Sequence, residues 1–504
     1  MKRRTRRTGT RLAAVAAVLG TVLGAAVGAP ALATAAPADG SADGPATYRT
    51  ADDATPVEGT ASSSDGPELK PGIYTDSIGR GEEKFYSVEL DEVSTVYLSA
   101  VAAPEPGTKV ASFGEGLEMK LTTTSGEQCD TAGRATFSGD DQAYPIGDYA
   151  ARRIGGDIER CQQAGPYLFS VKREGPGTSD PGDWPLEIRF MAEPGLEGTA
   201  PGPPGKDTWS TELPTPPTGT SQRAKGGTSF NDAGAVGSGV WKDTVRAGET
   251  IFYRVPLDWG QQLAAFAELP NAAKKSESPE FVSRALGFHL FNPARADVVD
   301  NNFESYRGEQ TSAGLITRPV EYGNRFDDDG RGISTAGWYY LAVTLHPGLA
   351  EHFPDGATVT LRVKVSGEAA EGPGYDGDAA AAGFGVTDKD KEAAEKGLSA
   401  ADVTQSDGWR LVAWGGIGAG TVLVLGLGLW MLLARLRHGR RGAPSDAAAQ
   451  QHASTGTPQG GVPGGYAAPG PYGGGYGYPG PSGPPGFGGQ QQPGHGGSAP
   501  DGRQ

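Results

Sequence analysis

A stretch of nineteen residues occurs twice in this chain, so the fold must accommodate both copies. Gly72–Leu90 (GIYTDSIGRGEEKFYSVEL) aligns without a gap on Gly239–Leu257 (GVWKDTVRAGETIFYRVPL). Eight positions are identical, including Asp76/Asp243, Gly81/Gly248 and the Phe-Tyr pairs 85–86 and 252–253. A second match, Ala164–Val171 on Ala336–Val343, has an offset of 172 residues against 167 for the first. The two copies therefore differ by only a few inserted residues, which identifies a tandem duplication.

Each copy reads as β. Lys84–Leu90 and Ile251–Leu257 alternate apolar with polar side chains, the period of a half-buried strand. Gly79–Glu82 and Arg246–Glu249 are turns that place a glycine where positive φ is needed. Further strands are expected at 94–101, 117–123, 166–172 and 185–191, and in the second copy at 262–268, 285–291, 337–344 and 357–365. Short strands, Gly/Pro turns and no long helical period predict an all-β ectodomain of two tandem β-sandwich or jelly-roll modules, over 68–197 and 232–367.

The pattern G-x-Y-x-D-x-I, G-E, F-Y-x-V, followed by A-G-x-Y-x-L/F-x-V, resembles the bacterial pre-peptidase C-terminal (PPC) domain. The resemblance implies a small β-sandwich appended to secreted enzymes or surface proteins, used for binding or as a spacer, sometimes with calcium. No peptidase domain accompanies the modules here.

The flanking segments predict where the modules reside. Six basic residues among the first eleven precede an apolar run from Leu12 and an A-x-A exit near Ala31–Ala36, which predicts a secretory signal peptide over 1–35, of an actinobacterial-type surface protein. Leu411–Ala434 carries no charge, has Trp409, Trp414 and Trp430 near its ends, and is followed by Arg435, Arg437, Arg440 and Arg441. That pattern predicts one transmembrane helix at 411–434 with a cytoplasmic C-terminus. Gly416 and Gly420 have the spacing that permits a homodimer through this helix. The remainder divides into linkers at 36–67 and 198–231, an Ala/Gly/acidic stalk at 368–408 with a short helix allowed at 388–396, and a disordered Gly/Pro/Tyr-rich tail over 435–504. Such compositions, contributing to 80 Gly and 39 Pro overall, are too poor in apolar residues to bury a core. A pI near 4.9 excludes a general affinity for nucleic acid.

Few residues suggest chemistry. Cys129 and Cys161 are the two cysteines, both in the first copy, and predict one intramodule disulfide in an oxidising compartment. His289 alternates with Phe288 and Leu290 and is expected to face outward. His346–His352 matches no zinc-protease spacing, and Gly332–Ala336 is not a nucleophile elbow, so no catalytic residue is assigned. The acidic segments around Asp297 and Asp300, and around Asp327 and Asp329, are either solvated turns or oxygen ligands for Ca2+; Asp140, Asp141 and Asp148 are the acids of the first copy. Trp241 and Trp259 are candidate ligand-binding aromatics or core residues. These features predict a non-enzymatic, membrane-anchored cell-surface protein whose modules bind an extracellular or membrane protein or an envelope polymer. The alternative is an accessory subunit that docks a secreted hydrolase or a membrane complex.

Overall fold

The computed structural model describes residues 44–403, except 113, 139–141, 157, 203–208, 273–280 and 299–301, together with 425–433 and 435. The first module comprises β1 (Thr55–Pro56), β2 (Glu68–Leu69), β3 (Gly72–Ile78), β4 (Glu83–Leu90), β5 (Thr95–Ala102), β6 (Gly116–Thr123), β7 (Gly133–Thr136), β8 (Ile146–Arg152), β9 (Gly165–Glu174) and β10 (Trp184–Glu193). They form two five-stranded sheets, ordered β1-β3-β10-β5-β8 and β2-β4-β9-β6-β7. The second module repeats this topology with β11 (Gln222–Arg223), β12 (Gly234–Ala235), β13 (Gly239–Val245), β14 (Thr250–Leu257), β15 (Gln262–Leu269), β16 (Val282–Phe291), β17 (Asn302–Tyr306), β18 (Thr311–Ile316), β19 (Gly337–Leu345) and β20 (Ala357–Ser366). Its sheets run β11-β13-β20-β15-β18 and β12-β14-β19-β16-β17. Each module closes its own apolar core between its two sheets, around Val88, Leu98, Phe169 and Trp184 in the first and Val255, Leu263, Leu341 and Val363 in the second.

The duplicated residues are structural devices. Asp76 on β3 accepts the Tyr86 hydroxyl at 2.7 Å and the amides of Gly59 and Ser77 at 2.8 and 2.7 Å. Asp243 on β13 does the same for Tyr253 (3.0 Å), Gly226 and Thr244 (both 2.8 Å). In each module one carboxylate therefore pins the incoming chain to a strand of one sheet and a tyrosine of the other. Burial and the adjacent aspartate push both tyrosine hydroxyls well above their usual range. In the β3–β4 and β13–β14 turns, Gly81 and Gly248 take φ of 77° and 85°, which an L side chain resists. The next residue, Glu82 or Glu249, accepts from the amide that opens the turn, at 2.7 and 3.0 Å. Tyr167 and Tyr339 each donate to a carbonyl four residues upstream, at 2.7 and 2.8 Å.

One difference between the copies makes a prediction. Lys84, largely buried, also donates to Asp76 at 2.8 Å, whereas Ile251 stands at the matching place in the second module. Asp243→Ala leaves a buried hydroxyl and two amides without their acceptor, a loss of about 2–4 kcal/mol. Asp76→Ala is expected to cost more, because it also strands a buried ammonium. Denaturant unfolding of both variants checks the order, and equal losses would contradict it.

The strands expected from alternation all form, within about three residues of their predicted ends. Sequence reasoning assigned no strand to the short β1, β2, β7, β11, β12 and β17, nor to β3 and β13 within the duplicated stretch. It also missed β8 and β18. Both are rich in Ala or Gly and lack a clean period; β8 (IGDYAAR) is almost wholly covered because both its faces pack.

The segments expected to be connectors are part of the fold. Residues 36–67 contribute β1, parallel to β3, and 198–231 contribute β11, parallel to β13. The stalk also folds back. Tyr375 pairs with Leu196, Phe384 is buried beside Tyr97, and Ala393 and Ala394 pack on Ala235. Helix α1 (Asp388–Lys396) forms because Thr387 and Asp390 make a capping box and Gly397 closes the C-terminus at φ 65°. Trp338 donates to Asp390 at 3.1 Å and Lys391 pairs with Asp258 at 3.0 Å, so this helix is held against the second module and does not extend from it.

Residues 425–433 are helical. Most of the expected span at 411–434, including Gly416 and Gly420, lies outside the described residues, as do the signal segment 1–35 and residues 436–504. Among the described residues no helix is long and apolar enough to cross a membrane.

Candidate functional site at the junction of the modules

The two sandwiches are joined face to face. On β19, Tyr339, Leu341 and Val343 point into their own core, and the alternating Tyr340 and Ala342 point out. In an isolated sandwich these outward positions would meet solvent. Here Tyr340, Ala342, Phe252 and Phe291 cluster with Phe230 and with Val101 of the first module. Beside them, Tyr97, Tyr149 and Met191 of the first module cluster with Ala294 and Ala296 of the second. Sheet β1-β3-β10-β5-β8 is thus buried on both faces at its β10-β5-β8 side, which explains why β5 has no exposed position.

Two buried ion pairs among the described residues cross this layer. Glu187 on β10 pairs with Arg295, both almost fully buried. It also accepts from Tyr48 (3.0 Å), the Ala51 amide (2.8 Å) and Asn231 (2.8 Å). Arg295 lies in a loop after β16 at φ 69°, a conformation costly for a non-glycine residue. The Asn292 side chain holds that loop by accepting the amides of Ala294 and Ala296, both at 3.0 Å. At the end of β10, Glu193 takes a bidentate pair from Arg325, 2.8 Å on each arm, and the Tyr375 hydroxyl at 2.5 Å. Arg325 is itself stacked 3.4 Å from the Tyr322 ring. Burial disfavours its charge, but Glu193 more than compensates and holds it protonated. Buried pairs of this kind repay little net energy over apolar packing, but they fix one register because any slip strands a charge. The junction therefore fuses the two sandwiches into one body.

Beside this layer a cavity of about 300 Å3 is lined from both modules, with Arg134, Tyr144 and Asp148 on one side and His289, Phe291 and Asp297 on the other. Asp148, on the edge strand β8, accepts the amides of Tyr149 and Arg134, both at 2.8 Å. Its carboxyl is nevertheless pushed up to about 7, chiefly by burial and further by the negative charge of Asp297. His289 faces away from its own core, as expected, but it is not exposed. It is covered to 4% accessibility, with Tyr144 of the first module 5.8 Å and Phe303 of its own module 5.2 Å from its ring. Its Nδ1 lies 3.4 Å from Asp297, and its Nε2 has no hydrogen-bond partner among the described residues.

Asp148 also makes stability depend on pH. A carboxyl whose pKa rises on folding stabilises most below its unfolded value of 3.8, and that contribution is lost as pH rises through about 7. The stability of the native protein relative to Asp148→Asn is expected to fall by about 2–4 kcal/mol between pH 4 and pH 8. Denaturation series at several pH values read this directly, and a flat or rising difference would contradict it.

Of the acids named in the sequence, Asp148 and Asp297 line this cavity, and Asp140 and Asp141 lie outside the described residues. Asp300 lies outside the described residues. Asp327 pairs with Arg318 at 2.5 Å, and its Oδ1 accepts the Asp329 amide at 3.2 Å, which makes that segment a closed turn. Among the described residues no three His, Cys, Asp or Glu side chains converge as a metal ion would require. Trp241 and Trp259 are core residues at 1% and 8% accessibility, and Trp241 donates to the Gly237 carbonyl at 2.8 Å, so neither offers a ring face to a ligand. His346 caps a 3-10 turn by accepting the Gly348 amide, and Ser334 donates to the Arg331 carbonyl. The Cys129–Cys161 disulfide is formed, with Cα atoms 5.3 Å apart. The sequence signal for the junction was confined to one strand: His289 and Phe291 are large side chains on the face of β16 that an isolated sandwich would expose.

No protein-family model and no curated protein matches the sequence. Among solved structures, the CBM22-1-CBM22-2 tandem domain of Paenibacillus barcinonensis Xyn10C aligns over 59% of this chain and 92% of its own, at 13% identity and a TM-score of 0.16. The tandem CBM51 modules of Sp3GH98 from Streptococcus pneumoniae align over 58% and 83%, at 8% identity and 0.15. The ANX1 ectodomain from Arabidopsis thaliana aligns over 59% and 85%, at 9% identity and 0.16. TM-scores this low leave the fold, family and ligand of this chain to be argued from its own residues.

Proposed function

We propose that this chain is a non-enzymatic cell-surface binding protein. In this reading its two PPC-like sandwiches act as one fused receptor body outside the cell, held at the membrane by the apolar segment 411–434, with the arginine-flanked tail in the cytoplasm. The observation that carries the reading is the junction. Every residue pair identical between the copies that makes a side-chain hydrogen bond serves the scaffold, while the polar cavity is built where the copies differ and from both of them together. A flexible spacer has no need of two buried ion pairs that fix how its modules meet. The flanking segments support the address: a basic, apolar, A-x-A start, and an uncharged run of 24 residues before four arginines.

In-cell crosslinking of the full-length protein, followed by affinity capture and mass spectrometry, tests the proposal. Crosslinks to a surface ligand or surface protein that map to the junction are expected. Stoichiometric capture of one secreted hydrolase would favour the accessory-subunit reading. Protease accessibility in intact cells tests the topology: a C-terminal tag should be protected and residues 44–403 exposed, and the reverse would sink the membrane assignment.

A further inference from the structure

We infer that a second cleft between the modules binds the carboxylate end of a short peptide, with the carboxylate on Arg160 and an apolar side chain against Phe326. The inference rests on the binding function proposed above and gives its ligand a chemistry.

The cleft has a volume of about 770 Å3, within the roughly 300–1,000 Å3 of small-molecule sites. Asp130, Arg153 and Arg160 line it from the first module, Ala200 from the connector, and Phe326 and Asp328 from the second module. Its charges form a chain across the modules. Arg153 pairs with Asp130, Asp130 lies 3.6 Å from Arg331, and Arg331 donates to Asp328 at 2.7 Å. Arg325 is taken by Glu193. Both acids of the cleft are thus neutralised, whereas the exposed Arg160 side chain has no ion-pair or hydrogen-bond partner among the described residues. Glu159 beside it does not line the cleft. On a chain of net charge −16, one uncompensated guanidinium in a cleft attracts a small anion, while the acidic surface around it repels an anionic polymer. The guanidinium fork matches a carboxylate in geometry as well as in charge.

The rim is in place before any ligand arrives. The Cys129–Cys161 bridge joins its two loops in the first module. Gln162 Nε2 donates to the carbonyls of Arg153 and Arg160, both at 2.9 Å, and its Oε1 accepts the Gly155 amide at 3.2 Å. Gly156, at φ 64°, lets this loop lie on the Phe326 ring, where a Cβ would come within 2.7 Å. The Gly156 and Ala200 amides border the cleft and have no acceptor among the described residues, which leaves donors for peptide carbonyls. Ile158, Ala200 and the half-buried Phe326 supply an apolar wall for a side chain. Because these groups are already ordered, a ligand pays little to fix them.

Saturation-transfer NMR on the full-length protein in detergent, with N-acetylphenylalanine and its C-terminal amide as probes, tests this. The acid is expected to bind, the amide to bind at least about fivefold more weakly, and added salt to weaken the acid alone. Arg160→Gln should bring the acid down to the level of the amide without moving the melting temperature, because the side chain is exposed and holds no other group. Phe326→Leu should weaken both probes. Failure of the acid to bind, or equal binding of acid and amide, would overturn the inference, as would an affinity that Arg160→Gln leaves unchanged. Crosslinks at the junction without probe binding would refute this ligand chemistry and keep the binding function. The absence of any specific crosslink would refute the function itself.

Discussion

Replacing Glu187 by alanine is expected to destabilise the protein by about 3–5 kcal/mol and to split its unfolding into two transitions. The carboxylate is buried, and its loss strands the Arg295 guanidinium together with the donors of Tyr48, Ala51 and Asn231. Arg189 compounds the loss. Burial and the charge of Arg295 already depress its pKa, and Glu187 is a carboxylate that offsets that repulsion. Because Glu187 belongs to the first module and Arg295 to the second, the penalty falls on the junction and leaves each sandwich's own core intact. Replacing both Glu187 and Arg295 by methionine should cost less than Glu187→Ala, since an apolar pair leaves no charge behind. Chemical denaturation followed by tryptophan fluorescence reads both variants against the native protein. A single unshifted transition for Glu187→Ala would show that the apolar contacts and the Glu193–Arg325 pair hold the modules together without it.

Removing the disulfide is expected to cost about 3–4 kcal/mol through the unfolded state, on the loop-entropy account for a loop of about 33 residues. Cys129 and Cys161 join the segment after β6 to the segment before β9, and Arg153 and Asp130 pair beside the bridge. The loss should fall on the first module, because the second has no cysteine and closes its matching edge by packing. The double replacement Cys129→Ser, Cys161→Ser, or reductant on the native protein, should lower the melting temperature of its single transition, and in the Glu187→Ala background should lower only the transition of the first module. An unchanged melt under full reduction would mean that the native contacts around the bridge already supply the order it imposes.

Much of the scaffold was legible because it is written in local rules. Alternation fixed the central strands of both cores, Gly81 and Gly248 marked the turns, and two cysteines left one pairing. The duplicated Asp-Tyr pair was visible as identity, although its role was not: Asp76 and Tyr86 are ten residues apart and meet only because β3 and β4 lie in opposing sheets. The site was far less legible. Asp297 appeared as one acid among several in a polar segment, and Asp148 as an acid without a motif. Nothing in the order of residues states that they share a cavity. Trp241 and Trp259 were misleading in the opposite sense, because a large aromatic in a strand serves a core or a ligand with the same local pattern. The expected connectors failed for a related reason. Short Gly-, Ala- and Pro-rich segments cannot build a core of their own, but they can pack on one already formed, as Phe384, Ala393 and Ala394 do.

The sequence by itself determined that the chain is duplicated, that each copy is a two-sheet β module, where its turns fall and which cysteines pair. All of these follow from periodicity, glycine conformation and composition, which act over a few residues. Tertiary structure alone decided that the modules are one body, that β10 carries the two glutamates of the junction, and that His289, Asp148 and Asp297 face one another. Those facts depend on which sheet faces meet, and a buried charge is satisfied by whatever lies across the interface, at any distance along the chain.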